Sequence, residues 1–179
     1  IFDISDLSIS NIINTVEIAP FGGNINSVAV YNGLVAVAVQ AVETGVNGSV
    51  LFLDIDGNEL NNITVGFLPD MVTFNNDGTK VLTANEGEPN DDYDIDPVGS
   101  ISIIDISGGI ESVTEANVSE AGFESFNDQA EILRLAGVRI FGLGASVAQD
   151  MEPEYITISE DNLTAYVTLQ ENNAIAVVN

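Results

Sequence analysis

The chain of 179 residues contains no cysteine and no histidine. The first absence excludes disulfide bridges and thiolate nucleophiles, and the second removes the commonest acid–base side chain and the commonest zinc ligand. No apolar run reaches the length of about 18 residues that predicts a membrane-spanning helix. A metal bound by this sequence would therefore be held mainly by oxygen ligands.

Basic residues are also scarce. Lys80, Arg134 and Arg139 stand against 28 aspartates and glutamates, which gives a formal net charge of −25. Because such a surface repels phosphate groups, the charge argues against nucleic acid and against direct binding to an anionic membrane. Divalent cations are the expected partners, and salt or bound cations should relieve the self-repulsion of the fold.

A hydrophobic content of 45% is sufficient for a packed core, and the hydrophobic pattern is repetitive. Residues 69–84 align without a gap with residues 153–168, and residues 25–39 form a third copy with a shorter Asn-Gly turn. Each copy joins two runs of alternating apolar residues through a turn rich in Asn, Asp and Gly. This pattern is typical of a β-hairpin.

A third apolar run follows each hairpin, and a weaker fourth run precedes the next hairpin. The third runs are 48–55, 99–106 and 173–179, and the fourth runs are 14–19, 61–65 and 111–116. Four short strands in each unit of roughly 40 to 50 residues predict an all-β fold, and specifically a β-propeller.

The repeats predict about three blades of a larger propeller, for which we expect about seven blades. The predicted blade units are about 1–19, 20–66, 67–116 and 150–179. An insertion is predicted at 112–149, where good helix formers and a terminating glycine indicate one short helix near 127–136. Because blade faces need neighbours, the expected partners include the remainder of the propeller or neighbouring chains.

The most acidic stretch, "EGEPNDDYDIDP" at 86–97, carries six carboxylates and no basic residue. In a propeller blade, the segment before the first strand and the loop after the second strand open on the same face, so the repeats bring acidic residues together there. The predicted metal ligands are Glu86, Glu88, Asp92, Asp94, Asp96, Asp150, Glu152, Glu154, Gln170 and Glu171. The alternative is a solvated acidic face without a specific site, and the sequence leaves both interpretations open.

Carboxylate, amide and water oxygens are the ligands that Ca²⁺ prefers, so we expect Ca²⁺ as the cofactor and allow a second divalent metal. The run from Asp92 to Asp96 begins as a calcium loop does. Pro97 and Ile103 stand where an EF-hand needs Gly and Glu, however, so this loop is not an EF-hand.

Arg139 is a candidate catalytic residue, because phosphoester hydrolysis needs a cation that stabilises developing negative charge. The alternative is that Arg139 makes a structural salt bridge within its acidic surroundings. The sequence does not decide whether the protein is an enzyme.

The repeats and the acidic loop resemble a known family. The runs "LPDMVTFNNDGTKVLTANEGEPNDDYDIDPVGSISIIDIS", "AGVRIFG" and "DMEPEYITISEDNLTAYVTLQENNAIAVVN" are similar to the choice-of-anchor I domain. That family is similar to mesenchyme-specific cell-surface glycoproteins, and some bacterial relatives carry the label alkaline phosphatase. The resemblance implies a secreted or surface-held propeller, without implying one chemistry.

From the residues and the resemblance together, we predict an extracellular or cell-surface module that binds calcium on one face. Its expected role is adhesion, surface assembly or scaffolding. The alternative is a metal-dependent phosphoesterase that uses the same acidic face.

Overall fold

The computed structural model describes residues 1–3, 5, 8–9 and 11–179, and β-strands predominate among them. Neighbouring strands pair antiparallel in every sheet. Strands β1 (Phe2–Asp3) and β2 (Asn11–Ile12) form a short ribbon near the N-terminus. No helix in the described part of the chain is long and apolar enough to cross a membrane. The mostly β character that the sequence predicts is confirmed.

The first large sheet has four strands in sequential order. They are β3 (Ile25–Tyr31), β4 (Leu34–Val39), β5 (Asn47–Asp54) and β6 (Glu59–Phe67). The two-residue turn between β3 and β4 consists of Asn32 and Gly33, whose φ angles are 47° and 85°. Two consecutive positive φ angles are what a type I′ hairpin turn requires, so the Asn-Gly pair fixes the register of this hairpin.

The second sheet also has four strands in sequential order. They are β7 (Pro69–Phe74), β8 (Lys80–Asn85), β9 (Ser100–Asp105) and β10 (Val118–Gly122). The sequence pattern predicts the fourth strand at 111–116, but the structure places this strand later, at Val118–Gly122. Two short 3-10 helices, Ile110–Ser112 and Glu115–Asn117, span that region instead. The Asn61 side chain donates hydrogen bonds of 2.8 and 2.9 Å to the carbonyl oxygens of Ile110 and Val113, which satisfies them without strand pairing.

The third sheet contains β11 (Tyr155–Ile158), β12 (Ala165–Leu169) and β13 (Ala174–Val178). Between the second and third sheets, a 3-10 helix at Glu124–Gln129 leads into α1 (Ala130–Leu135). A second short helix, α2 (Val147–Asp150), is capped by the Ser146 side chain and ends shortly before β11.

The sheets stack face to face because alternate residues of their strands enter different cores. Ala36 and Ala38 of β4 enter a core shared by the first and second sheets, whereas Val37 and Val39 face the opposite side. A separate core joins the second sheet to the third sheet and to the insertion around α1 and α2. Strand β7 contacts both β3 and β11, so the first strands of the three sheets follow one another in space.

Candidate cation-binding cavity

Three chain segments meet at the end of the sheets where β8 ends and where β9 and β11 begin. Glu86 N donates to Leu68 O at 2.9 Å, and Gly99 N donates to Ala148 O at 3.0 Å. A Cβ atom at Gly99 would lie 1.8 Å from the carbonyl oxygen of Met151, so only glycine permits this close approach. The loop after β8 and the segment that precedes β11 are thereby held side by side.

These segments enclose an open cavity of about 360 Å³. Its lining includes six of the predicted ligand residues: Glu86, Glu88, Asp96, Asp150, Glu152 and Glu171. It also includes residues that the sequence did not single out, among them Asn90, Asp91, Tyr93, Phe141 and Gln149. The structure therefore brings together carboxylates that are up to 85 residues apart in sequence, from Glu86 to Glu171.

Four of the predicted ligands lie elsewhere. Asp92 and Asp94 are exposed on the loop after β8 and do not line the cavity. The loop closes on itself, because Asn90 Nδ2 donates to Asp94 Oδ1 at 2.6 Å and Asn90 Oδ1 accepts from the backbone N–H of Asp94 at 3.1 Å. Glu154 and Gln170 line a separate, open depression beside the third sheet.

Glu86 and Glu152 are the most strongly perturbed carboxyl groups of the cavity. Burial, followed by the charges of Asp70 and three neighbouring glutamates, raises the pKa of Glu86 to about 8. Burial, followed by the charges of Glu171, Glu88 and other acidic neighbours, raises the pKa of Glu152 to about 7. A proton or a cation stabilises both groups, because either one compensates a partly or largely buried negative charge.

Asp150 lines the cavity but already has partners. Its two carboxylate oxygens accept hydrogen bonds of 2.7 Å from the backbone N–H groups of Phe141 and Gly142. Asp150 is buried, at 4% exposure, and it fixes the loop that carries Phe141 against the cavity. This carboxylate therefore supports the cavity wall, and it has less capacity left for a ligand than Glu86 or Glu152.

Arg139 lies outside the cavity lining. Its guanidinium nitrogen Nη2 is 3.9 Å from Glu171 Oε2, and its Cζ atom lies 5.7 Å from the centroid of the Phe141 ring. Both partners of the ion pair are largely exposed, so the pair contributes little to stability. The catalytic role of Arg139 stays a prediction.

Asn172 is a central residue of the site that the sequence analysis did not identify. Its side chain is fully buried and donates hydrogen bonds to the carbonyl oxygens of Asp150 and Arg139. Its Oδ1 atom accepts from the backbone N–H of Glu152 at 3.1 Å. A single amide thus connects the segment before β11, the Arg139 loop and the β12–β13 turn.

The carboxylates line the cavity without converging on one point. Within the described residues, no group of three or more Asp and Glu side chains is placed to hold a metal ion directly. A single ion here would keep part of its water shell, or the side chains would have to move toward it.

Comparisons with known proteins extend these observations. The structure of Kuenenia stuttgartiensis hydrazine synthase has a TM-score of 0.53 and 13% identity to this chain, covering 85% of this chain and 39% of that one. The structure of a eukaryotic initiation factor has a TM-score of 0.48 and 14% identity, covering 86% of this chain and 27% of that one. The chain thus spans less than half of either protein, and the first likeness concerns the fold alone.

No curated protein matches the chain. The family model of the choice-of-anchor I domain, in contrast, matches residues 1–179. A choice-of-anchor domain implies a protein that is anchored at the cell surface or secreted. The chain belongs to the choice-of-anchor I domain family.

Proposed function

We propose that this chain is part of an extracellular β-propeller module that binds cations in its acidic cavity, with calcium as the first ion to consider. The observation that carries the proposal is the lining of one cavity by carboxylates from separate chain segments, in a protein with a net charge of −25. A cation in this cavity would reduce the repulsion between those groups. The role that fits such a module is adhesion, surface assembly or scaffolding.

The propeller arrangement is supported by the way the sheets follow one another. Two antiparallel sheets of four strands and one of three strands stack through their faces, and their first strands β3, β7 and β11 are neighbours. The outer face of the third sheet carries exposed apolar side chains, including Ile175 and Val177. We infer that the remainder of a larger propeller, of about seven blades, or a neighbouring chain covers this face.

Calcium suits the oxygen atoms of the cavity. Without His or Cys, the cavity offers carboxylate, amide and backbone oxygens, which favour a hard cation. Glu86 and Glu152 are the main candidate ligands because burial and like charges raise the pKa of both groups. Water molecules would complete the coordination shell, since calcium takes six to eight oxygen ligands.

A calcium titration of the full protein, after treatment with EDTA, tests the proposal. We expect calcium to raise the melting temperature of the wild type and to have a much smaller effect on the double variant Glu86→Gln/Glu152→Gln. The matched control is Glu111→Gln/Glu115→Gln, which removes two exposed carboxylates that do not line the cavity. Equal calcium responses in all three proteins would overturn the assignment of the cavity.

The phosphoesterase alternative is tested in the same samples with p-nitrophenyl phosphate. Turnover that disappears with EDTA and with the cavity double variant would replace the scaffolding role by a metal-dependent phosphoesterase. An Arg139→Met variant then tests the catalytic prediction, because loss of a cation beside the reacting phosphate should lower turnover strongly. Absence of turnover together with a calcium response supports the binding module.

A further inference from the structure

The volume of the cavity and the spacing of its carboxylates indicate what kind of cation it accepts. Its volume of about 360 Å³ lies within the range of roughly 300 to 1,000 Å³ that is usual for small-molecule sites. Its carboxylates line this volume. In the described part of the chain, no three of them are close enough together to hold the same metal ion. A ligand larger than an ion can bring a cationic group to one of these carboxylates and fill the remaining volume with the rest of its length, which a bare ion cannot do.

Among the carboxylates of the cavity, Glu152 is the strongest candidate to bind such a cationic group. The residue is 8% exposed and lines the cavity. Among the hydrogen bonds of the described residues, its backbone N–H is paired with Asn172, but its carboxylate accepts none. An ammonium group in the cavity would provide this carboxylate with both the opposite charge and the N–H donors that the protein does not supply.

Two aromatic rings stand beside the carboxylates. Tyr93 is 65% exposed and Phe141 is 54% exposed, and both line the cavity. The face of such a ring attracts an organic cation and packs against an alkyl chain. A hydrated metal ion gains much less from these rings, so the aromatic wall favours an organic ligand.

The protein itself provides an example of this type of contact at the cavity rim. The guanidinium group of Arg139 lies 5.7 Å from the Phe141 ring and 3.9 Å from a carboxylate oxygen of Glu171. A guanidinium group thus lies near both this ring and one of the cavity carboxylates.

We propose that the cavity binds a protonated alkylamine, whose ammonium group donates to Glu152 and whose alkyl chain packs against Phe141 and Tyr93. The proposal rests on the proposed cation binding and names its ligand class. The amine could come from a free polyamine or from the lysine side chain of a partner protein. Both sources present the same ammonium group on an alkyl chain.

The test is isothermal titration of the full protein with spermidine and, separately, with N-acetyl-lysine amide, in a buffer of low ionic strength without divalent metals. Calcium is titrated into a parallel sample. We expect spermidine to bind, with an affinity that falls by about tenfold or more in Glu152→Gln, because a buried charged hydrogen bond is lost. The acidic control is Glu160→Gln, an exposed residue outside the cavity.

The aromatic contribution is measured with Phe141→Leu. We expect this variant to weaken spermidine binding by about three- to tenfold and to change calcium binding by less than about twofold. The control is Phe126→Leu, which alters a partly exposed phenylalanine that does not line this cavity. A calcium affinity that falls as much as the spermidine affinity would contradict the proposed packing of the alkyl chain.

The outcomes separate the two proposals. Calcium binding without saturable spermidine binding overturns the amine inference and leaves the proposed function standing, whereas binding of neither cation overturns both. Spermidine binding that is unchanged in Glu152→Gln also overturns the inference. If N-acetyl-lysine amide binds about as well as spermidine, the ligand is a lysine side chain, and if only spermidine binds, it is a free polyamine.

Discussion

The two ends of the sheets use their carboxylates in opposite ways. At the end formed by the β5–β6, β7–β8 and β11–β12 turns and the end of β9, hydrogen bonds lower the pKa values of four aspartates: Asp54, Asp77, Asp105 and Asp161. At the cavity end, burial is the main cause that raises the pKa values of Asp70, Glu86, Asp96, Glu152 and Glu154. At the first end, the turn end, hydrogen bonds within the protein satisfy the carboxylates. At the cavity end, the carboxylates remain available to a ligand.

The supply of hydrogen-bond donors explains much of this difference, since the pKa values of Asp70 and Asp96 are raised although their side chains are as short as those at the other end. The short aspartate side chain can accept from backbone N–H groups of its own turn, as Asp77 Oδ1 does from Thr79 N at 3.0 Å. The longer Glu86 and Glu152 side chains project into a region that supplies other carboxylates instead of donors. Asp150 agrees with this rule, since it lies at the cavity end and is satisfied by two backbone N–H groups.

The largest effect is expected from Asn172→Ala, which should disrupt the cavity end only. The substitution leaves the carbonyl oxygens of Asp150 and Arg139 and the N–H of Glu152 without their buried partner. We expect a loss of about 2 to 4 kcal/mol in the free energy of unfolding, measured by urea denaturation, and a loss of calcium response.

The neighbouring residue provides the control for this variant. Asn173 is exposed and has a φ angle of 54°, so Asn173→Gly removes its side chain without backbone strain. We expect a loss below about 1 kcal/mol. Equal losses in the two variants would mean that the buried amide does not organise the cavity.

A pH titration in EDTA measures the contrast between the two ends directly. The folded pKa values of Glu86 and Glu152, about 8 and about 7, exceed the unfolded value of 4.5. Their contribution to stability is therefore fully present below the unfolded pKa and is lost as the pH rises through 7 to 8. Between pH of about 5 and about 9, we expect the wild type to lose about 2 kcal/mol more than Glu86→Gln/Glu152→Gln, after allowance for solvent screening.

The control for the pH experiment is again Glu111→Gln/Glu115→Gln, whose stability should follow the wild type over the same range. Chemical denaturation at each pH gives the free energies. A double cavity variant that loses as much stability as the wild type at high pH would show that the cavity carboxylates are already relieved by solvent.

The sequence could predict features that follow from local pattern. Alternating apolar residues and the Asn32-Gly33 turn specify hairpins, and the repeat places Glu86 near the segment around Glu152. Asn172 could not be identified in this way, because its partners are backbone atoms that every residue possesses. The contribution of Phe141 to the cavity depends on how Asp150 holds its loop, which no periodic pattern encodes.

The smallest effect is expected at the turn end, from Asp77→Asn. Hydrogen bonds from Thr79 lower the pKa of Asp77, so its contribution is present above the unfolded value of 3.8 and is lost as the pH falls through the folded pKa. The variant keeps an oxygen acceptor but loses the charge, and we expect a small loss of stability at neutral pH that shrinks in acid and in high salt. Asp128→Asn, at an exposed site of the insertion, is the matched control.

Because the turn lies at the opposite end of β8 from Glu86, the calcium response of Asp77→Asn should equal that of the wild type. A reduced response would mean that cations act through the overall negative charge of the protein, and the distinction between the two ends would then be lost.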